Sequence, residues 1–247
     1  MQTGLPYTKF VRRLESILTL SDEDVRLLSE MPTTVRSYRT DQDIVREGDS
    51  PSQCCLLLEG FLYRHKIANG SNRQIMSFHV PGDIPDLHSL HLSRMDHNLT
   101  SLGPSVVAFV PHTYFRAVLP SSQQLTHALW RETLVDAAVF REWVVNVGAR
   151  EALARIAHVL CEFKLRLQAV GLVNGATFTV PARQTDIADA VGITAVHANR
   201  VIQELRSRGL IQWEGKTVTI LQWDELAQVG DFSADYLHLR KEEPSSH

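Results

Sequence analysis

Residues 183–211 read RQTDIADAVGITAVHANRVIQELRSRGLI, and this stretch decides the fold. The spacing predicts a first helix over 184–191 with Ile187, Ala188 and Val191 turned inward. Gly192 supplies the positive φ of a tight turn, and Thr194 is placed to cap the next helix. In that second helix Ala198, Val201, Ile202 and Leu205 follow i, i+3, i+4, i+7 spacing and face a core. Ala195, Val196, Asn199, Arg200 and Gln203 are left pointing outward. Two short helices joined by a tight turn, with small Ala188 at the crossing, make a helix-turn-helix. Gly209 ends the second helix. Leu210–Trp213 and Thr217–Leu221 then read as a strand pair around Glu214-Gly215-Lys216, a charged wing with Lys216 at its tip. A helix-turn-helix followed at once by such a hairpin is far more specific than the helix pair alone.

Upstream, residues 150–170 form an amphipathic helix with Leu153, Ile156, Ala157, Leu160, Phe163 and Leu167 on one side, and Thr177–Val180 a short strand. Residues 121–147 form a long helix whose first apolar face holds Leu125, Leu129, Val139 and Trp143. A second face holds Trp130, Leu134, Ala137, Ala138 and Val145. A helix apolar on two faces packs on its own domain with one and on a partner with the other. Over 33–112 the texture is that of short strands: Cys54–Leu58, Gln74–Val80 and Val106–Val110, separated by turn signals that include a type I′ hairpin at Asn69-Gly70. Residues 5–30 read as one or two helices, with Ser21 as N-cap before Asp22, Glu23 and Asp24. The last residues, Lys241–His247, read as frayed.

The chain carries 44% hydrophobic and 21% charged residues, which fits a globular protein and excludes a disordered one. No apolar run approaches the roughly 20 residues that span a bilayer, and the N-terminus has no signal-peptide pattern. The three cysteines, Cys54, Cys55 and Cys161, cannot build a disulfide framework, and a cytoplasmic location is expected. Net charge is −3, yet residues 150–221 hold nine Lys and Arg against six Asp and Glu, a mildly basic segment suited to phosphate. No phosphate loop, nucleophile elbow or His-Glu-x-x-His appears, so no enzyme is expected.

The winged motif, together with Glu47-Gly48-Asp49, Gly60 and Pro81-Gly82-Asp83-Ile84 at β-roll spacing, resembles the Crp/Fnr family of regulators over roughly residues 15–222. The resemblance implies an α+β fold. N-terminal helices and a cyclic-nucleotide-binding-type β-roll sensor would occupy 1–120 and a dimerisation helix 121–148. A winged helix-turn-helix would occupy 149–222, with a tail over 223–247. It implies a homodimer on double-stranded DNA at a near-palindromic promoter site, with RNA polymerase as a further partner and no membrane. DNA contacts would come from Gln184, Thr185, Thr194, Val196, His197, Asn199, Arg200, Gln203 and Lys216. Among these, Arg200 suits a guanine edge, Asn199 an adenine and Val196 a thymine methyl.

Gly82, Asp83, Ile84, Asp86, Leu87, His97, Asn98 and Thr100 mark the expected effector pocket. Family members that bind cyclic nucleotide carry Gly-Glu and Arg-Ser or Arg-Thr where this chain has Pro85-Asp86 and His97-Asn98. Asp is shorter than Glu, and a largely neutral His replaces a guanidinium, so an effector other than cyclic AMP is expected. The iron–sulfur branch carries an N-terminal cysteine cluster, whereas no cysteine here precedes Cys54. The open signals are a small molecule, haem with nitric oxide, redox chemistry at Cys54 or Cys55, or none at all. His88 and His91 stand at i, i+3 and, with Asp86 or His97, could bind a metal, or one of them haem. That would make a metal- or haem-dependent sensor or enzyme on a β-roll scaffold, the alternative to the regulator. The favoured reading is two hydrogen-bonded or surface histidines, with no cofactor.

Overall fold

The computed structural model describes residues 7–68, 70 and 72–240. Helices α1 (Thr8–Glu15) and α2 (Asp22–Ser29) come first. Ser21 caps α2 as expected: its Oγ accepts from the Asp24 amide at 3.1 Å, and the Asp24 carboxylate accepts from the Ser21 amide at 3.2 Å.

The β-roll is two antiparallel sheets. One orders β1 (Thr34–Tyr38), β7 (Ser105–Pro111) and β3 (Gln53–Glu59). The other orders β2 (Asp43–Val45), β6 (Asn98–Ser101), β4 (Leu62–Ala68) and β5 (Asn72–His79). The unbroken apolar run in β3 follows from burial on both faces. Leu57 and Cys55 face the space between the sheets, packed with Leu62, Leu99 and Val107. Cys54 and Leu56 face the helices, packed with Phe10, Leu14, Phe115 and Leu125. Strands β4 and β5 pair as far as Ala68 and Asn72, and the type I′ turn expected at Asn69-Gly70 falls partly outside the described residues. Asn69 itself lies outside the described residues, as do Leu5, Pro6 and the Lys241–His247 segment read as frayed.

A short helix α3 (His112–Val118) leads into the long α4 (Gln123–Ala149). Leu125, Leu129, Val139 and Trp143 of α4 are buried, as their spacing required. Ala138, assigned above to the second face, is buried with them. Trp130, Leu134, Phe140, Val144 and Val145 remain exposed on the opposite side. Helix α5 (Ala152–Ala169) is buried all round from Ile156 to Phe163, since the β-roll and α4 cover one side and the C-terminal domain the other.

The C-terminal domain follows as β8 (Thr177–Thr179), α6 (Gln184–Val191), α7 (Ala195–Ser207), β9 (Ile211–Glu214) and β10 (Thr217–Ile220), with sheet order β8-β10-β9. Residues 223–237, expected as a tail, instead complete this domain. Helix α8 (Trp223–Val229) packs on α5 through buried Leu226, and Leu237 is buried after it. Gly230 lies so close to α5 that a Cβ there would meet the His158 amide nitrogen at 2.8 Å. Half of residues 223–240 are apolar, among them Leu226, Phe232 and Leu237, but they are broken up by Gly230 and charged residues and find their packing surface only on α5, far away in sequence.

Candidate nucleic-acid interface

Helices α6 and α7 stand as the sequence required. The Asp186 carboxylate accepts from the Arg183 amide at 2.9 Å and closes the first turn of α6. Gly192 takes φ +69°, and Thr194 Oγ1 accepts from the His197 amide at 3.3 Å, which starts α7. Ala198, Val201, Ile202 and Leu205 are buried, and Ala188 is buried beneath them. The opposite face of α7 is open: Val196 is 67% exposed, and His197, Asn199, Arg200 and Gln203 are exposed beside it. An apolar side chain that exposed at the start of a helix has no packing role in this chain. Gln184 and Thr185 are exposed at the start of α6, and the Gln184 amide donates to Asn199 Oδ1 at 3.1 Å. Lys216 is exposed at the turn of the β9–β10 wing. A groove between wing and α7 is lined by Arg183, Gln184, Gln203, Arg206 and Lys216. Arg206 was missed by the sequence reading, although its exposed i+3 spacing from Gln203 on α7 was there to find it. The side-chain nitrogens of Arg200 and Lys216 have no hydrogen-bond or ion-pair partner among the described residues, so both cationic heads are available to an anion or a base edge.

The two domains are joined by ion pairs that no local pattern announced. Arg73 on β5 donates to Asp186 at 2.7 Å and to Asp189 at 2.7 Å, both on α6. Gln74 donates to the Asp189 carbonyl at 2.8 Å, and Arg183 reaches Asp41 with both terminal nitrogens at 2.8 and 2.9 Å. Burial alone would raise the Asp186 carboxyl, but hydrogen bonds from Arg183 and Arg73 overcome it and hold the group below the ordinary carboxylate value. Deeper in, Arg166 of α5 donates to Asp83 at 2.6 Å, to Glu162 at 3.1 Å and to the Phe78 carbonyl at 2.8 Å. Arg13 of α1 pairs with Glu132 of α4 at 3.0 Å.

The residues expected to line an effector pocket scatter. Asp86 is buried and turned toward β3, where its Oδ1 accepts from the Cys55 amide at 2.8 Å. Burial pushes its carboxyl up to about 7, and the Cys55 hydrogen bond offsets this only in part. Asp83 is held by Arg166. Asn98 accepts from the Glu47 amide at 3.0 Å, and Thr100 donates to Asp43 at 2.8 Å. Gly82 takes φ +102° against the backbone of Lys9. Asp83, Ile84 and Leu87 share a cavity with Arg13, His79, His88, Glu132, Asp136 and Arg166, but it offers only about 20 Å³, room for little beyond one water. Arg64, also missed, lies close by: it donates to Asp136 of α4 at 3.0 Å and to the Pro85 carbonyl at 2.6 Å.

His97 is buried, and its Nδ1 lies 2.7 Å from Asp96 Oδ1. Burial, reinforced by the charge of Arg64, pushes its imidazole down to about 4. The structure brings His88 to His97, with ring centroids 5.3 Å apart, whereas His91 is exposed at the end of the 87–90 turn. All three cysteines are buried. Burial raises the Cys54 and Cys55 thiols well above their ordinary value and Cys161 to about 12, so none is a poised thiolate.

A winged helix-turn-helix presenting a free recognition face, carried on a β-roll and a long helix, defines a two-domain DNA-binding transcription regulator. The comparisons with known proteins agree. The family model of the Crp-like helix-turn-helix domain matches residues 154–229, and that of the cyclic nucleotide-binding domain matches residues 35–122. The chain is 23% identical over 204 residues to the transcriptional activator protein FnrA of Stutzerimonas stutzeri, covering 83% of each. It is 23% identical over 196 residues to the nitrogen fixation regulation protein FixK of Rhizobium meliloti, covering 79% of this chain and 86% of the relative. Among solved structures, FixK2 from Bradyrhizobium japonicum superposes with a TM-score of 0.74 at 21% identity, over 83% of this chain and all of that one. The chain belongs to the Crp/Fnr family of transcription regulators. These relatives are regulators, and no enzyme family is indicated. Among the described residues no helix is long and apolar enough to cross a membrane.

Proposed function

We propose that the protein acts as a homodimer that reads a near-palindromic promoter site with the exposed face of α7, and that its β-roll answers to a ligand other than cyclic AMP. The observation that carries the first part is the face of Val196, His197, Asn199, Arg200 and Gln203, exposed beside the Lys216 wing. In this reading Arg200 takes a guanine O6/N7 edge, Asn199 an adenine and Val196 a thymine methyl, while Gln184, Thr185, Thr194 and Lys216 meet the backbone.

The dimer reading rests on α4. Trp130, 64% exposed, Leu134, 55% exposed, Phe140, Val144 and Val145 form one apolar stripe opposite the face that packs on the β-roll. A second copy of α4 would cover it and set two recognition helices about one DNA turn apart. On a promoter such a dimer would sit beside RNA polymerase, the further partner the resemblance implies.

Against cyclic AMP stand Asp86, whose carboxylate is committed to the Cys55 amide, and the lack of a guanidinium at His97-Asn98.

The test is fluorescence anisotropy of the full-length chain on DNA from upstream of its own gene and on shuffled DNA of the same composition. Salt-dependent binding that prefers the promoter DNA by tenfold or more is expected. Equal affinity for both would refute the specific-site reading.

A further inference from the structure

Among the described residues one group of metal-ligating side chains converges: His88, Asp96 and His97 each offer a ligand atom within 4.8 Å of the others. The group joins the turn at 87–90 to the start of β6, and the DNA-reading surface does not use it. We propose that it is a binding site for a divalent transition-metal ion of the zinc, cobalt or nickel kind.

Three observations carry this. First, the Nε2 atoms of His88 and His97 are both buried and both without a hydrogen-bond partner. His97 is only 4% exposed, so its free nitrogen is a buried polar atom left unsatisfied, which ordinarily costs about 1–3 kcal/mol. A metal ion would satisfy both nitrogens at once. Second, His97 Nδ1 already lies 2.7 Å from Asp96 Oδ1. That carboxylate is placed to orient the ring or to join it as a ligand. Third, the donor set is two imidazoles and one carboxylate. This is the chemistry of zinc and its first-row neighbours and not that of calcium or magnesium, which require oxygen.

Metal–nitrogen bonds of about 2.0–2.1 Å put tetrahedral ligand atoms roughly 3.4 Å apart, so the group must contract by up to roughly 1.5 Å. Rotation of the Asp96 and His88 side chains would supply this. Asp96 is 81% exposed, and His88 stands on a single turn. The nearby positive charge of Arg64 is already matched by Asp136 at 3.0 Å, which lowers the cost of a second cation. Three protein ligands leave a fourth position open to water or a small anion.

The inference goes beyond the regulator reading, and its readout does not involve DNA. Untagged full-length protein, stripped with chelator, is titrated with cobalt(II) by absorption spectroscopy and with zinc(II) by calorimetry. One equivalent per chain is expected, with ligand-field bands that zinc abolishes. His97→Ala and His88→Ala should each weaken binding by tenfold or more, and Asp96→Asn by a smaller factor. His91→Ala, three residues from His88 but outside the group, should leave binding unchanged. Circular dichroism confirms that each variant is folded. Asp96→Asn, on an exposed side chain, keeps the test open should a histidine variant fail to fold. Absence of a one-to-one complex at 100 μM metal would overturn the proposal. So would binding that survives both His88→Ala and His97→Ala, which would assign the ion to other histidines among the eleven in the chain.

Discussion

Replacing Arg166 by Met tests the buried joint between sensor and DNA-binding domain. The guanidinium is nearly enclosed and makes three hydrogen bonds, to Asp83, Glu162 and the Phe78 carbonyl. Met keeps the bulk of the stem and removes the charge. Glu162 then retains Trp143 Nε1 at 3.0 Å and the Tyr236 hydroxyl at 2.8 Å. Asp83 retains the Val80 amide at 2.9 Å, with Arg13 and His79 only at 3.6 Å. Breaking a buried pair by deleting one partner costs about 3–5 kcal/mol, and the surviving donors place this case at the lower end, about 3 kcal/mol at pH 7.5.

The pH dependence follows from Asp83. Burial would raise its carboxyl, but Arg166 first, then His79 and Arg13, hold it well below the ordinary range. Its folded value lies below its unfolded value of about 3.9, so its stabilisation is complete above that and is lost only as the pH falls through the folded value. The wild type therefore keeps this contribution at pH 5. Without Arg166, burial dominates and Asp83 takes up a proton as the pH falls toward 5, so the variant's deficit should shrink there. Urea unfolding followed by tryptophan fluorescence at pH 7.5 and pH 5 measures both quantities. A deficit below about 1 kcal/mol, or one equal at the two pH values, would refute the assignment of this cluster as an energetic joint.

Arg200→Ala should weaken specific DNA by roughly 1–3 kcal/mol per half-site and relax preference at one base pair, while Lys216→Ala should weaken all DNA alike and lower the salt slope by about one per subunit. Point-mutated operators at two salt concentrations separate these, and a uniform loss with Arg200→Ala makes it a phosphate contact. Leu134→Glu on the exposed stripe of α4 should leave the fold within about 0.5 kcal/mol but convert a dimer to a monomer in light scattering. A wild type that is itself monomeric at micromolar concentration defeats the dimer reading. Asp86→Asn keeps the acceptor for Cys55 while removing the charge. Because the Asp86 carboxyl sits near 7 in the folded chain against about 3.9 unfolded, it costs stability as pH rises through that window. The variant should therefore be more stable to urea at pH 8, by at most roughly 4 kcal/mol, and lose that advantage toward pH 4. An equal shift at both pH values would contradict this.

The helix-turn-helix was legible from residues 183–211 alone because local rules govern it. Helical spacing chose the inward set, Gly192 permitted the turn and Thr194 capped α7, all within a few residues of one another. The apolar strands β3, β5 and β7 were legible for the same reason. Strands β1, β2, β4 and β6 were not, since their polar or half-exposed residues, such as Arg36, Asp43, Lys66 and Asn98, carry no alternation without the sheet that pairs them. The pairing of His88 with His97, where the sequence spacing suggested His91, was equally out of reach. A short turn and a strand end meet there only after the roll has closed. What tertiary structure alone decided is the placing of charge. Arg73 meets Asp186 across 113 residues and Arg13 meets Glu132 across 119. A charged side chain looks like surface in any sequence until folding removes its water and supplies its partner, so burial of the charges that join sensor to DNA-binding domain is a property of the whole chain.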